Sequence, residues 1–490
     1  MFKNIKIYIS IILCSLLLTS CFTDEGNYNY EDILEVEFNG IEEDYTVTRF
    51  ENFAVNPDLV LTEQGSDESR FTYRWVAVAP ELPIHDDLTE LATTKNLNLR
   101  MDLLPGNYTI YYFVKDNVTG VEWQHDFELQ VVNNVFEGWL VLNEVSGGSR
   151  LDMISLIDDN YVTYHDILDI VGSELTLEGT PGFVYTYTYQ FDYYGIYVTT
   201  SGNGTTKLEP NVFTWSPDND ISKEFAIPLE ENIELANLKA KGLAREAYAI
   251  KDGDIYQYLG IQNKAYNLPL NTGFKVSPMF AEGGFAPWVC FYDVTNKEFK
   301  RILTFGGFFP MPAGTLFDWN TGGKELIYLS SSRYLFPGNH GAFTILKDPN
   351  DGKFYLGVFQ TGNFGQIYYG EILATDFDQA TNFTFSPDFG YLFYSVGGKV
   401  YQYDFSLGTT KLMLDKGSQE ITLLKFHNFL SFNYQDLQRQ LIVCSYDASQ
   451  PEGSNGTMEL YTVPPVNGQI ELETSYSGFG KIKSISYRER

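Results

Sequence analysis

Acid–base and metal chemistry would have to start from five histidines, His85, His125, His165, His340 and His427. None stands in an HExxH spacing, which would place two ring nitrogens and a carboxylate on one helix face. Asp166 follows His165, but neighbours on a strand point to opposite faces, so the pair does not read as a dyad. No GxSxG elbow presents a serine, and no P-loop cradles a phosphate. Two turns are rich in oxygen donors of the kind calcium takes, Asp348-Pro349-Asn350-Asp351-Gly352 and Ser216-Pro217-Asp218-Asn219-Asp220. Neither continues into an EF-hand loop, and Asp351-Gly352 lies between two apolar runs as a hairpin turn does. Carboxylates are too abundant in this chain for any pair of them to mark a glycosidase. There is no CxxC and no Cys/His cluster, so neither a metal nor a cofactor is expected.

The residue types that do concentrate are aromatic. The stretch Phe305–Asn320 (FGGFFPMPAGTLFDWN) is a Gly/Pro-rich connection carrying Phe309 and Trp319, followed by Arg333–His340 with Tyr334 and His340, and by Gly362–Gln366 with Phe364. Trp288 opens an apolar strand shortly before them. Aromatic faces stack on sugar rings or fill side-chain pockets, while Asn, Asp and His supply directional hydrogen bonds. Trp288, Phe309, Trp319, Tyr334, His340 and Phe364 are therefore the candidate contacts for a glycan or peptide ligand. The other reading of the same loops is that they plug one mouth of the domain that carries them.

Those loops need a scaffold, and the sequence supplies a repeated one. The run Gly390–Asp415 contains an apolar strand, a Gly397-Gly398 turn, the alternating strand Val400–Tyr403 and a third strand at Lys411–Leu414, which together make an antiparallel meander. Gly253-Asp254-Ile255-Tyr256-Gln257-Tyr258 nearly repeats Gly398-Lys399-Val400-Tyr401-Gln402-Tyr403, and Gly352-Lys353-Phe354-Tyr355 is a third copy. Weaker echoes at Gly148, Gly204, Lys297 and Gly456 fill the register. About seven units of roughly 45–60 residues lie near the size of β-propeller blades. The region 135–490 is therefore expected to be an approximately seven-bladed β-propeller in an all-β chain. Closing the ring requires Lys481–Tyr487 to pair beside Trp139–Asn143, and Ile233–Ala240 reads as a short helix between blades.

Composition agrees with an all-β chain: 35 Tyr and 37 Phe favour strands. With 33 basic against 64 acidic residues the net charge is −31, which opposes binding to nucleic acid or to bare anionic lipid. Cys290 and Cys444 sit in apolar strands and read as buried free thiols rather than a bridge.

The first residues form a targeting segment. Lys3 and Lys6 precede the apolar run Ile7–Leu18, too short to span a bilayer, which ends in Leu18-Thr19-Ser20-Cys21. This resembles a bacterial lipobox, so 1–20 is expected to be a signal peptide and Cys21 the lipidated residue, with 21–30 as a tether. Asp24 and Glu25 resemble the surface-export signal of Bacteroidetes lipoproteins. Residues 31–133 follow with Phe71–Val78 around Trp75, then "PGNYTIYYFVKD" and "FELQVV", and resemble the PKD branch of the immunoglobulin-like sandwich. In that fold Trp75 and Tyr108 are core and corner residues.

Taken together, the chain resembles the PKD-like lipoproteins of Bacteroidetes, accessory proteins of SusC/SusD-type outer-membrane uptake systems. The resemblance implies a lipid anchor at the outer membrane facing the cell exterior and an Ig-like stalk. It also implies a transporter complex as partner and a non-enzymatic role in capturing a glycan or peptide. Two alternatives remain open: a propeller-based glycosidase or lyase with an acidic pair in the ring mouth, and a structural subunit of the transporter that binds no ligand.

Overall fold

In the computed structural model the described residues are 34–62, 68–79, 88–133, 135–157, 159–189, 192–242, 246–260, 265–284, 287–304, 306–336 and 339–490. Cys21, Asp24, Glu25, the signal segment and His85 lie outside them. They divide into two compact units, one ending at Val132 and the other running from Asn133 to Arg490. Among the described residues no helix is long and apolar enough to cross a membrane.

The N-terminal unit is a β-sandwich. Its main sheet holds five strands, with Phe71–Val78, Gly106–Asp116 and Glu122–Val132 antiparallel at its centre and Asp44–Thr48 running parallel to the last of these. Period-2 alternation sends Trp75, Ile110, Tyr112, Phe127 and Leu129 inward, where they meet Phe53, Val55 and Leu97 from the facing Asn52–Val55/Leu97–Arg100 ribbon. Trp75 is fully buried, lies 4.0 Å from the Tyr112 ring, and donates its indole N–H to Thr94 O at 2.8 Å. The Tyr108 hydroxyl donates to Leu104 O at 2.8 Å, four residues upstream, which is the tyrosine corner of Ig-like folds. Both residues do the structural work expected of them.

The second unit consists of seven antiparallel sheets of three or four strands. Their innermost strands are Lys481–Arg488, Pro181–Tyr189, Asn237–Ala240, Val276–Glu282, Glu325–Phe336, Asn382–Phe385 and Glu420–Lys425, for sheets 1 to 7 in ring order. Residues from all seven line a single central cavity, so the sheets are arrayed radially as in a propeller. Closure is by strand exchange between the two ends of the domain. Lys481–Arg488 pairs antiparallel with Gly138–Val145, with Trp139 opposite Tyr487 and Asn143 opposite Ile482. Trp139, Ile485 and Tyr487 are buried there in one cluster with Ile442 and Phe479 of sheet 7. The sheet joining the chain ends thus also carries the contact to its neighbour.

All seven echoes found in the sequence fall at one structural position, the turn or first residue between the second and third strands counted from the axis. Gly253 shows why that place favours glycine. Its φ is +78°, and a β-carbon there would come within 2.8 Å of the Lys275 side chain.

One expectation fails. Ile233–Ala240 is not a helix, and Asn237–Ala240 is instead the inner strand of sheet 3, pairing Leu238 with Ala249 and Ala240 with Ala247. The buried positions Ile233, Leu235, Leu238 and Ala240 suit a helical stripe and a broken alternation about equally over so short a run. The sheet that needed an inner strand decided between them. Cys290 and Cys444 are buried and free, in sheets 4 and 7.

Candidate functional site

The central cavity has a volume of about 380 Å³, within the range of small-ligand pockets. Aromatic walls come from Phe183 and Tyr185 of sheet 2, Tyr328 of sheet 5, Phe383 of sheet 6 and Phe426 and Phe429 after the inner strand of sheet 7. Between them stand Lys239, Glu282, Lys425, His427, Asn428 and Glu489. Consecutive residues of the inner strands, such as Phe183–Thr186 and Asn237–Ala240, line the cavity along the strand edges, and side chains of non-adjacent sheets meet there. Ser331 of sheet 5 accepts from Lys239 Nζ of sheet 3 at 3.4 Å, and its carbonyl accepts from Asn428 Nδ2 at 3.2 Å.

The charges in this space are unevenly satisfied. Glu489 accepts from the backbone N–H groups of Leu430 and Ser431 at 2.7 and 2.6 Å, and Glu282 from that of Gly284 at 2.5 Å. Lys425 Nζ donates to one carbonyl, Ile485 O, at 2.8 Å. Among the described residues neither Lys239 nor Lys425 has a carboxylate within ion-pair distance, unlike Lys416 and Lys241. Lys416 meets Glu459 at 2.6 Å and the buried Lys241 meets Glu246 at 3.3 Å. Burial, and then the charge of Lys239, pulls the Lys425 ammonium down to about 8. Burial lowers Lys239 too, with Glu282 opposing. His427 is 8% exposed and its Nδ1 has no hydrogen-bond partner. Burial and the nearby Lys425 push its pKa well below the usual imidazole value, so the ring is neutral at neutral pH.

The residues singled out in the sequence lie elsewhere, around sheets 4 and 5. Trp288, Phe309 and Phe364 converge on Arg301. The guanidinium carbon stands 4.2 Å from the Trp288 ring centre and 5.4 Å from that of Phe364, its Nε donates to Pro310 O at 2.8 Å, and Phe309 lies edge-on to Trp288 at 5.5 Å. Trp319 and Phe364 are only 5% and 3% exposed and pack against Phe359 in the core between sheets 4 and 5. For these two the packing reading is the correct one, because their rings have no surface left for a ligand. Phe309 is 42% exposed and Trp288 half-buried, leaving a small open rim. Tyr334 and His340 stand in the paired strands Glu325–Phe336 and Asn339–Lys347, but their side chains lie outside the described residues.

The remaining candidates resolve into structure. His165 turns to Asp152 rather than Asp166, with Nδ1 3.3 Å from Oδ2. That carboxylate is already gripped by Arg150 through two bonds of 2.7 Å. Asp348 accepts from the N–H and side chain of Asn350, both at 2.9 Å, and Asp351 from Lys353 N at 2.9 Å, so these oxygens close the turn. Among the described residues no group of three or more His, Cys, Asp or Glu is placed to hold a metal. Sequence reasoning missed Lys239, Lys425 and His427. The available signal was a lysine set within the apolar run Leu423–Phe426, but one strand cannot show that its end faces an axis.

The model of the PKD-like family matches residues 21–179, from the expected lipidation site past the boundary at Val132 and through the first propeller strands. A search of curated proteins found no match. Among solved structures, a quinonprotein alcohol dehydrogenase-like protein from Bacteroides thetaiotaomicron is similar at 12% identity and TM-score 0.46, covering 94% of this chain and 100% of its own. A catalytically inactive virginiamycin B lyase from Staphylococcus aureus, solved with quinupristin, is similar at 13% identity and TM-score 0.37, covering 68% and 97%. The Dos1 propeller is similar at 10% identity and TM-score 0.33, covering 61% and 88%. Likenesses this distant say nothing of ligand or reaction, and the fold stands on the sheet topology itself. The PKD-like family model thus covers the N-terminal sandwich and the opening strands of the propeller that follows it.

Proposed function

We propose that this protein is a non-enzymatic binding lipoprotein, anchored through Cys21 at the outer face of the outer membrane. The Ig-like unit serves as spacer, and the propeller captures a small glycan or peptide group for a SusC/SusD-type transporter. The observation that carries this reading is the axial cavity, where aromatic walls surround polar groups that the protein itself leaves incompletely paired. Such groups cost stability in an empty site and gain partners in a filled one. Among the described residues His427 has no hydrogen-bonded carboxylate and the His165–Asp152 pair is held by Arg150, which supports binding over turnover. The lipid anchor and the transporter are supported by the lipobox-like Leu18–Cys21 and by the family match that begins at Cys21.

The test is a calorimetric screen of the purified full chain against glycans and peptides, with product analysis on the same samples. Saturable binding without product is expected. Turnover would instead favour the glycosidase or lyase reading. Co-purification with the transporter and no ligand at all would favour a structural subunit.

A further inference from the structure

We infer that the axial cavity recognises a carboxylate group, held by Lys425 and His427 with Lys239 alongside. The inference rests on the binding reading above and narrows the ligand to its anionic class.

Three independent features lead to it. Lys239 and Lys425 come from sheets 3 and 7, line the same cavity and lack a carboxylate partner, in a chain whose carboxylates outnumber its basic residues 64 to 33. Lys239 and Lys425 are half-buried, and an ammonium drawn even partly out of water without a counter-charge is costly; the buried Lys241 shows how this fold satisfies one, pairing with Glu246, which is itself bound by Tyr248 and Gln257 at 2.5 and 2.8 Å. The second feature is His427 in the wall, more than nine-tenths buried, whose Nδ1 has no hydrogen-bond partner and is itself covered, so that a ligand oxygen meets it only after the ring turns towards Lys425. A neutral ring can place its hydrogen on Nδ1 and donate it to an oxygen.

The third is charge balance. Glu282 acts electrostatically on Lys239 and offsets part of its charge, while Glu489 is committed to the backbone N–H groups of Leu430 and Ser431. The two lysines and two carboxylates balance in formal charge, but Glu489 and Glu282 accept from backbone N–H groups while the Lys425 ammonium donates only to Ile485 O, so the spare hydrogen-bonding capacity is that of a donor, centred on Lys425. That suits a monoanion such as a carboxylate better than a phosphate dianion. The ammonium and the imidazole N–H would each take one carboxylate oxygen, and the aromatic walls would take the apolar face of the group that carries it.

A carboxylate reaches such a site from two sources, an acidic sugar or a peptide acid. The full chain is titrated calorimetrically at pH 7 with D-glucuronate against D-glucose, with N-acetylphenylalanine against its amide, and with inorganic phosphate. The series is then repeated on Lys425→Met. The carboxylate member of one pair is expected to bind about tenfold or more tightly than its neutral partner, the worth of one charge-assisted hydrogen bond. Which pair shows the effect identifies the source. Lys425→Met should abolish the preference while melting no lower than the parent, since it removes a half-buried charge and keeps the length of the side chain.

Equal binding of the neutral members, tighter binding of phosphate, or a preference that survives Lys425→Met would each overturn the inference. If a neutral ligand binds saturably and Tyr328→Ala removes that binding, the cavity reading stands without the carboxylate. No saturable binding of any probe overturns both.

Discussion

Two regions of the propeller collect unusual residues, and they do so for opposite reasons. Around Arg301 the aromatic side chains find one another: Trp319 and Phe364 are buried, and even the guanidinium is taken up by the Trp288 ring and Pro310 O. At the axis the aromatic walls leave polar groups with too few partners, namely Lys425, Lys239 and His427 Nδ1. Aromatic density alone therefore does not mark a site. The Trp319 indole N–H also lacks a partner, but it is sealed in the core between sheets 4 and 5, whereas the under-paired groups at the axis line a cavity where a ligand can contribute what the fold lacks.

The largest effect that could break this contrast is at Trp319. Trp319→Ala should lower stability by about 3–5 kcal/mol, as truncation of a buried aromatic does, and is read by denaturant unfolding. An unchanged midpoint together with lost ligand binding would reassign that region to recognition. Next is Lys425→Met, which sharpens the other side. Its folded-state pKa, lowered to about 8 from the ordinary 10.5, means the charged form is disfavoured by folding. The cost is fully present below pH 8 and disappears as pH rises towards 10.5. The substitution should accordingly raise the melting temperature by about 2–5 °C at pH 7, with a gain that shrinks by pH 10.

The same titration governs the ligand. Lys239, His427, Glu282, Glu489 and the thiol of Cys444 are the titratable groups that face or influence Lys425, and His427 is neutral across the alkaline range. Carboxylate affinity should therefore fall about tenfold between pH 7 and pH 9, following loss of the Lys425 proton. A flat profile would remove Lys425 from recognition. Smallest is Phe309→Ala on the exposed rim, expected to change stability by less than about 0.5 kcal/mol and axial binding not at all. A lost glycan affinity there would move the site to the Arg301 region.

The two regions also differ in how far the sequence could reveal them. The repeat was legible because the connection between the second and third strands carries a glycine, or in one sheet Lys297, at or just before the third strand, so each echo marked a sheet among the described residues. The closing strand was legible because Lys481–Tyr487 alternates and had one place to pair. Trp75 and Tyr108 were legible because an Ig-like core uses one residue type at each place. Ile233–Ala240 was misread because its apolar positions, 233, 235, 238 and 240, fit a period of 3.6 and a broken period of 2 about equally over eight residues. The axis was not legible at all. Lys239 lies about 185 residues before Lys425 and His427 in the chain, and only radial closure makes neighbours of them. Nor does sequence show whether Trp319 faces solvent or a neighbouring sheet.

Hydrogen–deuterium exchange of the full chain, with and without saturating glucuronate or N-acetylphenylalanine, compares the two regions in one experiment. If the ligand sits at the axis, amides of 237–240, 420–425 and 426–430 gain protection while 306–319 does not change. Protection confined to 306–319, with the axial strands unaffected, would contradict the assignment of the site to the centre of the ring.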